Sequence, residues 1–317
     1  MASAARYLAL NSGVKIPVLG FGTYMLKGDA LKSALDYALF IGYRHIDTAL
    51  SYENEAAIGD VISDRIRSGK LSRKDLFVTT KVPPVYLAYH AAIDSAKMSQ
   101  ENLKLRYLDL LLIHQPWGLV NKGDGTLRPT DSKGKRELAV YDLTETWHAF
   151  ESLVNRGLVN SIGLSNFTAR QIERIWKCAT VKPSNLQLEC HVYLQQWELE
   201  KYCSDKHIVM SAYAPLGAPG NSQRSSSEQP LKDPVVCRIA KECGKSPAQI
   251  LLNFLVQRKM AVITKSGNHD RIKQNLDVFD WSITTQHKKK IQQLDKNIRF
   301  FGFEWAVSHP EFYDEPF

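Results

Sequence analysis

The sequence predicts an α/β chain folded as a single (β/α)8 barrel spanning residues 1–317. Three observations carry that expectation. Short, nearly continuous apolar runs alternate with amphipathic stretches, and strands that are apolar on both faces belong to parallel sheets. Eight such runs are spread over about 300 residues, the size and strand count of a closed barrel. Several of the runs end in a residue that cannot be buried alone, as barrel strands do where they reach a catalytic mouth. A doubly wound open sheet is the alternative pattern, but no Gly-x-Gly-x-x-Gly follows the first run to support a dinucleotide site of that type.

The elements follow in order. "YLALNSGVKIPVLG" reads as a hairpin turning around Asn11–Gly13, placed as a lid on the barrel base. The strands are "VLGFG" (18–22), "YRHID" (43–47), "LFVTTK" (76–81), "LDLLLIH" (108–114), "VNSIGLS" (159–165), "NLQLEC" (185–190), "IVMSAY" (208–213) and "AVITK" (261–265). Between them lie helical patterns such as "GDALKSALDYALFIG", "ENEAAIGDVISDRIRSG" and "SPAQILLNFLVQRK". Two long loops interrupt the rhythm, one from Gln115 to Glu137 and one from Leu216 to Asp233. Loops of that length are uncommon without a function, and both follow strands, which puts them on the C-terminal face. The tail from Arg299, "RFFGFEWAVSHPEFYDEPF", is rich in aromatic residues and is expected to fold over the same face.

Composition narrows the function. With 44% hydrophobic and 23% charged residues the chain is a soluble globular type, and no apolar run approaches the roughly 20 residues of a membrane span. "MASAARYLAL" lacks the features of a signal peptide, so a cytosolic protein is expected. The net charge of +8 suits an acidic ligand, but the basic residues are scattered apart from "HKKK" at 287–290, which excludes a nucleic-acid module. Cys178, Cys190, Cys203, Cys237 and Cys243 form no CxxC pair, so free, mostly buried thiols are expected, and no metal.

The strand ends supply the chemistry. "RHID" ends in Asp47, "VTTK" in Lys81 and "LLIH" in His114, and Tyr52 lies in the loop after the second strand. A barrel brings these ends together. Singly they are weak signals: a lone lysine at a strand end equally suits a Schiff-base nucleophile. Jointly they suit carbonyl reduction, which needs a hydride for carbon and a proton for oxygen. A tyrosine keeps its proton at neutral pH, and a neighbouring ammonium is expected to lower its pKa toward use as acid or base. Asp47 would hold Lys81 charged, and His114 would hydrogen-bond the carbonyl oxygen.

The stretches "GYRHIDTALSYENEAAIG", "LFVTTK", "LDLLLIHQP", "SIGLSNF", "LQLECHVYLQQ" and "VITKSGNHDRIKQN", in this order, resemble the aldo-keto reductase superfamily, on its aldose reductase/aldehyde reductase branch. The resemblance covers nearly the whole chain. It implies a catalytic tetrad of Asp47, Tyr52, Lys81 and His114, NADP(H) lying extended across the barrel mouth, and a monomer. It places Lys265, Ser266 and Arg271 on the adenosine 2′-phosphate, at a helix N-terminus that favours anions, and Gln274 and Asn275 on the adenine. Ser165, Asn166 and Gln187 match residues that hydrogen-bond the nicotinamide carboxamide, Tyr213 matches the ring stacked on it, and Thr23 lines the same place. The loop from Leu216 to Lys232 resembles a strap over the pyrophosphate.

The resemblance weakens at the substrate pocket. Tyr24, Pro83 and Gln115 stand where many relatives carry Trp, which makes those walls more polar. The tail residues Phe300, Phe301, Phe303 and Trp305 are expected to compensate. Two rival readings stay open: a non-enzymatic cofactor-binding sensor or structural protein of the same fold, and a Schiff-base lyase using Lys81. Within the family, a dehydrogenase or reductase for steroids, prostaglandins or sugars is a further alternative.

Overall fold

Strands that are apolar on both faces need a core inside and a helical layer outside, and a closed barrel supplies both. The computed structural model describes residues 6–220 and 228–313. Its strands are β1 (Tyr7–Ala9), β2 (Lys15–Pro17), β3 (Leu19–Gly22), β4 (His45–Asp47), β5 (Phe77–Val82), β6 (Leu110–Ile113), β7 (Gly118–Leu119), β8 (Leu138–Ala139), β9 (Ile162–Ser165), β10 (Asn185–Glu189), β11 (Val209–Tyr213) and β12 (Ala261–Thr264). Eight of them close a barrel in the order β3-β4-β5-β6-β9-β10-β11-β12, with β12 pairing back to β3. Every neighbouring pair in it is parallel. Each of the eight expected strands is present, shifted at its ends by three residues at most.

The helices are α1 (Gly28–Ile41), α2 (Glu55–Arg67), α3 (Tyr89–Leu103), α4 (Leu143–Asn155), α5 (Ala169–Cys178), α6 (Trp197–Asp205), α7 (Pro234–Cys243), α8 (Pro247–Gln257), α9 (His269–Leu276), α10 (Thr285–Gln292) and the short α11 (Pro310–Tyr313). Local chemistry sets their ends. Ser246 and Gln249 form a reciprocal capping box at the start of α8, with Pro247 at its first turn, and Thr168 and Gln171 do the same for α5. α1 stops at Gly42, whose φ of 117° a side chain would disfavour. α2 crosses α3 at Gly59, where an added Cβ would meet the Asn102 carbonyl and lie 2.9 Å from Leu103 Cα.

The barrel base is closed as the opening hairpin predicts. β1 and β2 pair antiparallel, and Leu10 and Ile16 pack on Phe77, Leu110, Leu112 and Ala261. Fully burying one such side chain contributes about 1.5–3 kcal/mol. His45 fills the lower interior: Nδ1 is 3.2 Å from Pro17 O and Nε2 is 3.0 Å from Thr79 Oγ1. Gly20 leaves it room, since a Cβ there would lie 2.9 Å from His45 Nδ1.

β7, in the loop from Gln115, pairs antiparallel with β8 just past Glu137, because Gly118 permits a close approach to Ala139 O and Tyr141 Oη donates to Leu119 O at 2.9 Å. One expectation needs correction. The cysteines are free, but only Cys190 and Cys203 are buried; Cys178 and Cys237 are exposed because α5 and α7 turn other residues inward.

Candidate active site

Because the barrel strands are parallel, their C-terminal ends meet at one mouth. Asp47 ends β4, and Lys81 lies near the end of β5. Both are buried. Lys81 Nζ donates to Asp47 Oδ1 at 2.8 Å and to Thr48 O at 2.8 Å. Asp47 Oδ2 accepts from Gln187 Nε2 at 2.6 Å, reaching across the barrel from β10. Thr23 caps the same strand end, its Oγ1 donating to Asp47 O at 3.0 Å. Each charge is thus paired and each carboxylate oxygen satisfied, which a buried ion pair requires.

Tyr52 and His114 are half-buried above this pair. The Tyr52 ring centroid lies 5.2 Å from Lys81 Nζ and 5.7 Å from the His114 ring, edge to face. Ser51 Oγ is 3.2 Å from His114 Nδ1. The expected lowering of the Tyr52 pKa is not what the site produces. Burial, and next the charge of Asp47, push the phenol well above its ordinary value. Lys81 is itself lowered by burial and spends its charge on Asp47, so little is left to favour a phenolate. Burial also holds His114 well below its ordinary value, helped by the charges of Lys81 and Arg128. The mouth therefore presents a protonated phenol beside a neutral imidazole.

Next to this group lies a polar wall. Tyr213 Oη donates to Asn166 Oδ1 at 2.8 Å, and Asn166 Nδ2 donates to His114 O at 2.9 Å and to Ser165 Oγ at 3.1 Å. Asn166 is held at φ 62°, a conformation that Asn tolerates better than most residues. Ser165, Asn166, Gln187 and Tyr213 thus stand together beside the four strand-end residues. Their amides and hydroxyls suit a carboxamide, and the Tyr213 ring supplies an aromatic face.

At the end of β12, Lys265 is exposed and Ser266 buried. Ser266 Oγ accepts from Asn268 N at 3.1 Å and lies 3.4 Å from Arg271 Nε, while Asn268 caps α9. One ammonium, one hydroxyl and one guanidinium converge at a helix N-terminus, a donor set that fits a phosphate. The chain at Gly220 runs close over it: a Cβ there would lie 3.7 Å from Lys265 Nζ. Asn275 is buried and Gln274 exposed on α9. Leu216 is half-buried at the start of the expected strap; residues 221–227 of that strap lie outside the described residues.

The pocket residues divide. Tyr24 is exposed and its ring lies 5.0 Å from that of Tyr52. Pro83 is buried and Gln115 half-buried beside His114. Phe301 stands edge-on to Tyr213 at 5.6 Å. Phe303 packs instead on Trp117, at 4.8 Å, with Trp305 and Phe312 against the same indole. Several residues here were not singled out from the sequence. Trp117 anchors the tail. Glu189, fully buried, accepts the backbone N–H of Phe300 at 2.7 Å and of Phe301 at 3.0 Å, with His191 Nε2 at 2.9 Å. Its signal was the one that marked Asp47, a carboxylate closing an apolar run. Ser51 and Arg128, at the rim, gave no such signal.

Comparison with known proteins agrees with this architecture. A sequence model described as "Aldo/keto reductase family" matches residues 18–296. The chain is 41% identical over 302 residues to aldo-keto reductase family 1 member A1 of Gallus gallus, covering 95% of this chain and 92% of that one. It is 40% identical over 311 residues to prostaglandin F synthase 1 of Bos taurus, covering 96% and 95%. A solved structure of the aldose reductase from Schistosoma japonicum superposes with a TM-score of 0.92 at 37% identity, over 99% of this chain and 100% of that one. The chain belongs to the aldo/keto reductase family, oxidoreductases whose general chemistry is nicotinamide-dependent reduction of carbonyl groups.

Proposed function

We propose that this protein reduces aldehydes or ketones to alcohols with NADPH, and that Tyr52 gives the proton. The observation that carries the reading is the group of Asp47, Tyr52, Lys81 and His114 at one barrel mouth, with the ion pair beneath the phenol. NADPH, when bound, supplies the hydride for the carbonyl carbon. Tyr52, kept protonated by burial, hydrogen-bonds the carbonyl oxygen and releases its proton to it as charge develops there. Lys81 lies 5.2 Å from the Tyr52 ring and is fixed in place by Asp47, so the ion pair forms the floor on which the phenol sits. Ser51 Oγ lies 3.2 Å from His114 Nδ1; in the tautomer where that hydroxyl donates, His114 carries its proton on Nε2 and offers a second hydrogen bond to the same oxygen.

Lys265, Ser266 and Arg271 would hold the 2′-phosphate, which favours NADPH over NADH. Ser165, Asn166 and Gln187 would hold the carboxamide, Tyr213 and Thr23 would position the ring, Gln274 and Asn275 would contact the adenine, and the strap from Leu216 would cover the pyrophosphate. Tyr24, Pro83, Gln115, Phe301 and Phe303 would shape the carbonyl pocket. The reading is of a monomer, and the composition suits the cytosol.

The test is NADPH oxidation, followed by absorbance, with an aromatic aldehyde, a sugar aldehyde, a diketone and a ketosteroid. Tyr52→Phe should lower turnover by about a hundred- to ten-thousandfold while NADPH still binds. Tight NADPH binding with no turnover of any carbonyl by the unaltered protein would favour a sensor or structural protein instead.

A further inference from the structure

The long loop between β6 and α4 carries two guanidinium groups to the rim of the mouth. Arg128 is exposed, and its Nη2 donates to Ser51 O at 3.0 Å. Ser51 precedes Tyr52, and its hydroxyl is the group 3.2 Å from His114 Nδ1. Arg128 is therefore seated on the backbone beside the proton donor, one side chain away from the imidazole. The loop is built to keep it there. Arg136 Nη1 donates to Arg128 O at 2.6 Å, and Thr130 bridges Arg136 antiparallel.

Among the described residues this pair of cations has no counter-charge. The loop has four acidic residues, and each is engaged elsewhere: Asp142 Oδ1 accepts from Thr144 N at the start of α4. Glu137 pairs with Lys122, Asp131 Oδ1 accepts from Lys133 N and Lys135 N, and Asp124 Oδ1 accepts from Thr126 N. Among the described residues, neither Arg128 nor Arg136 forms an ion pair with a carboxylate. Their like charges act on one another: Arg136 is lowered by burial first and by the charge of Arg128 next. The field of Arg128 also reaches the chemistry, adding to the lowering of His114 and offsetting part of the rise at Tyr52. An anion at this rim would relieve the repulsion and use the N–H groups that Ser51 leaves over. A guanidinium presents its donors as a planar fork that matches a carboxylate.

We propose that Arg128 selects carbonyl compounds that carry a carboxylate, taking that carboxylate at the rim while the reacting carbonyl lies at Tyr52 and His114. The inference rests on the reductase reading above and names its substrate class. The preference is carried by KM, because an exposed charge acts on binding and not on the reacting bond. Salt weakens it, because the pair is screened.

The experiment compares 4-carboxybenzaldehyde with benzaldehyde, using the unaltered protein, Arg128→Gln and Arg128→Lys. The ratio of kcat/KM for the two aldehydes should drop about tenfold or more in Arg128→Gln, through KM, and less in Arg128→Lys. All three ratios use the same substrates, so their intrinsic reactivities cancel. In the unaltered protein the ratio should also shrink as salt rises. An unchanged ratio in Arg128→Gln, with NADPH still bound, overturns the role of Arg128 and leaves the reductase standing. Failure of the unaltered protein to turn over either aldehyde overturns the reductase reading and this inference with it.

Discussion

Gln187 Nε2 lies 2.6 Å from Asp47 Oδ2, the carboxylate oxygen that Lys81 does not use. One carboxylate thus holds two groups in register: the ammonium beneath Tyr52 and an amide from the opposite side of the barrel. Removing its charge should be costly. Asp47→Asn leaves Lys81 buried without its hydrogen-bonded counter-charge, a change worth about 3–5 kcal/mol in stability. Thermal unfolding of Asp47→Asn beside the unaltered protein measures it. A shift of less than about 2 °C would mean that Lys81 finds another partner or loses its proton without penalty.

The pH profile of reduction should be flat through neutrality. Tyr52 must hold its proton to donate it, and burial raises its pKa above the ordinary 10.0, so the alkaline loss comes only as pH rises past that value. His114 must stay neutral, and burial holds it below the ordinary 6.5, so the acid loss comes only as pH falls past that value. Initial rates from pH 6 to 10 decide this. An alkaline limb centred below pH 9 in kcat/KM would show that the proton comes from a group other than the buried phenol, or that its pKa is depressed.

Glu189 should control the tail. Its two oxygens take consecutive backbone N–H groups, of Phe300 and Phe301, and His191 stacks on the Phe300 ring at 4.5 Å. Hydrogen bonds to a charged group are worth about 1.5–3 kcal/mol each. Glu189→Gln keeps the shape and removes the charge. Hydrogen exchange at the amides of Phe300 and Phe301 should speed up by about tenfold or more, while the amides of β5 and β6 should be little changed. Unchanged exchange at both tail amides would mean that Trp117 and its aromatic neighbours hold the tail without the carboxylate.

Acid should weaken the barrel through His45. Its folded-state pKa is pushed down to about 4 by burial, against an ordinary 6.5. Folding therefore favours the neutral ring. The unfolded chain binds the extra proton as pH falls below 6.5, so stability is full above that value and declines down to about pH 4. The loss attributable to His45 is about 3 kcal/mol over that window. His45→Gln does not titrate, so its stability should fall less steeply from pH 7 to 4.5 in urea unfolding. Parallel slopes would assign the acid sensitivity to other groups.

Much of the fold was legible because its cause is local. A strand apolar on both faces can only be an inner strand, and each of the eight apolar runs became one. The capping boxes at Ser246 and Thr168, and Gly42 at the end of α1, follow from neighbouring residues alone. Three of the four residues gathered at the mouth were legible for a related reason: Asp47, Lys81 and His114 close apolar runs where a lone polar group is costly, and parallel topology brings such ends together. What the sequence did not determine depends on distance along the chain. The pairing of Asp47 with Gln187 spans 140 residues, and that of Glu189 with Phe300 spans 111. No local pattern encodes either. The sign of the Tyr52 shift also belonged to tertiary structure. A lysine nearby predicts a lowered pKa, but burial and the charge already committed to Asp47 reverse it. Arg128 is the extreme case. In the sequence it is one more basic residue in a polar loop, and only the folded loop sets it on Ser51, next to Tyr52.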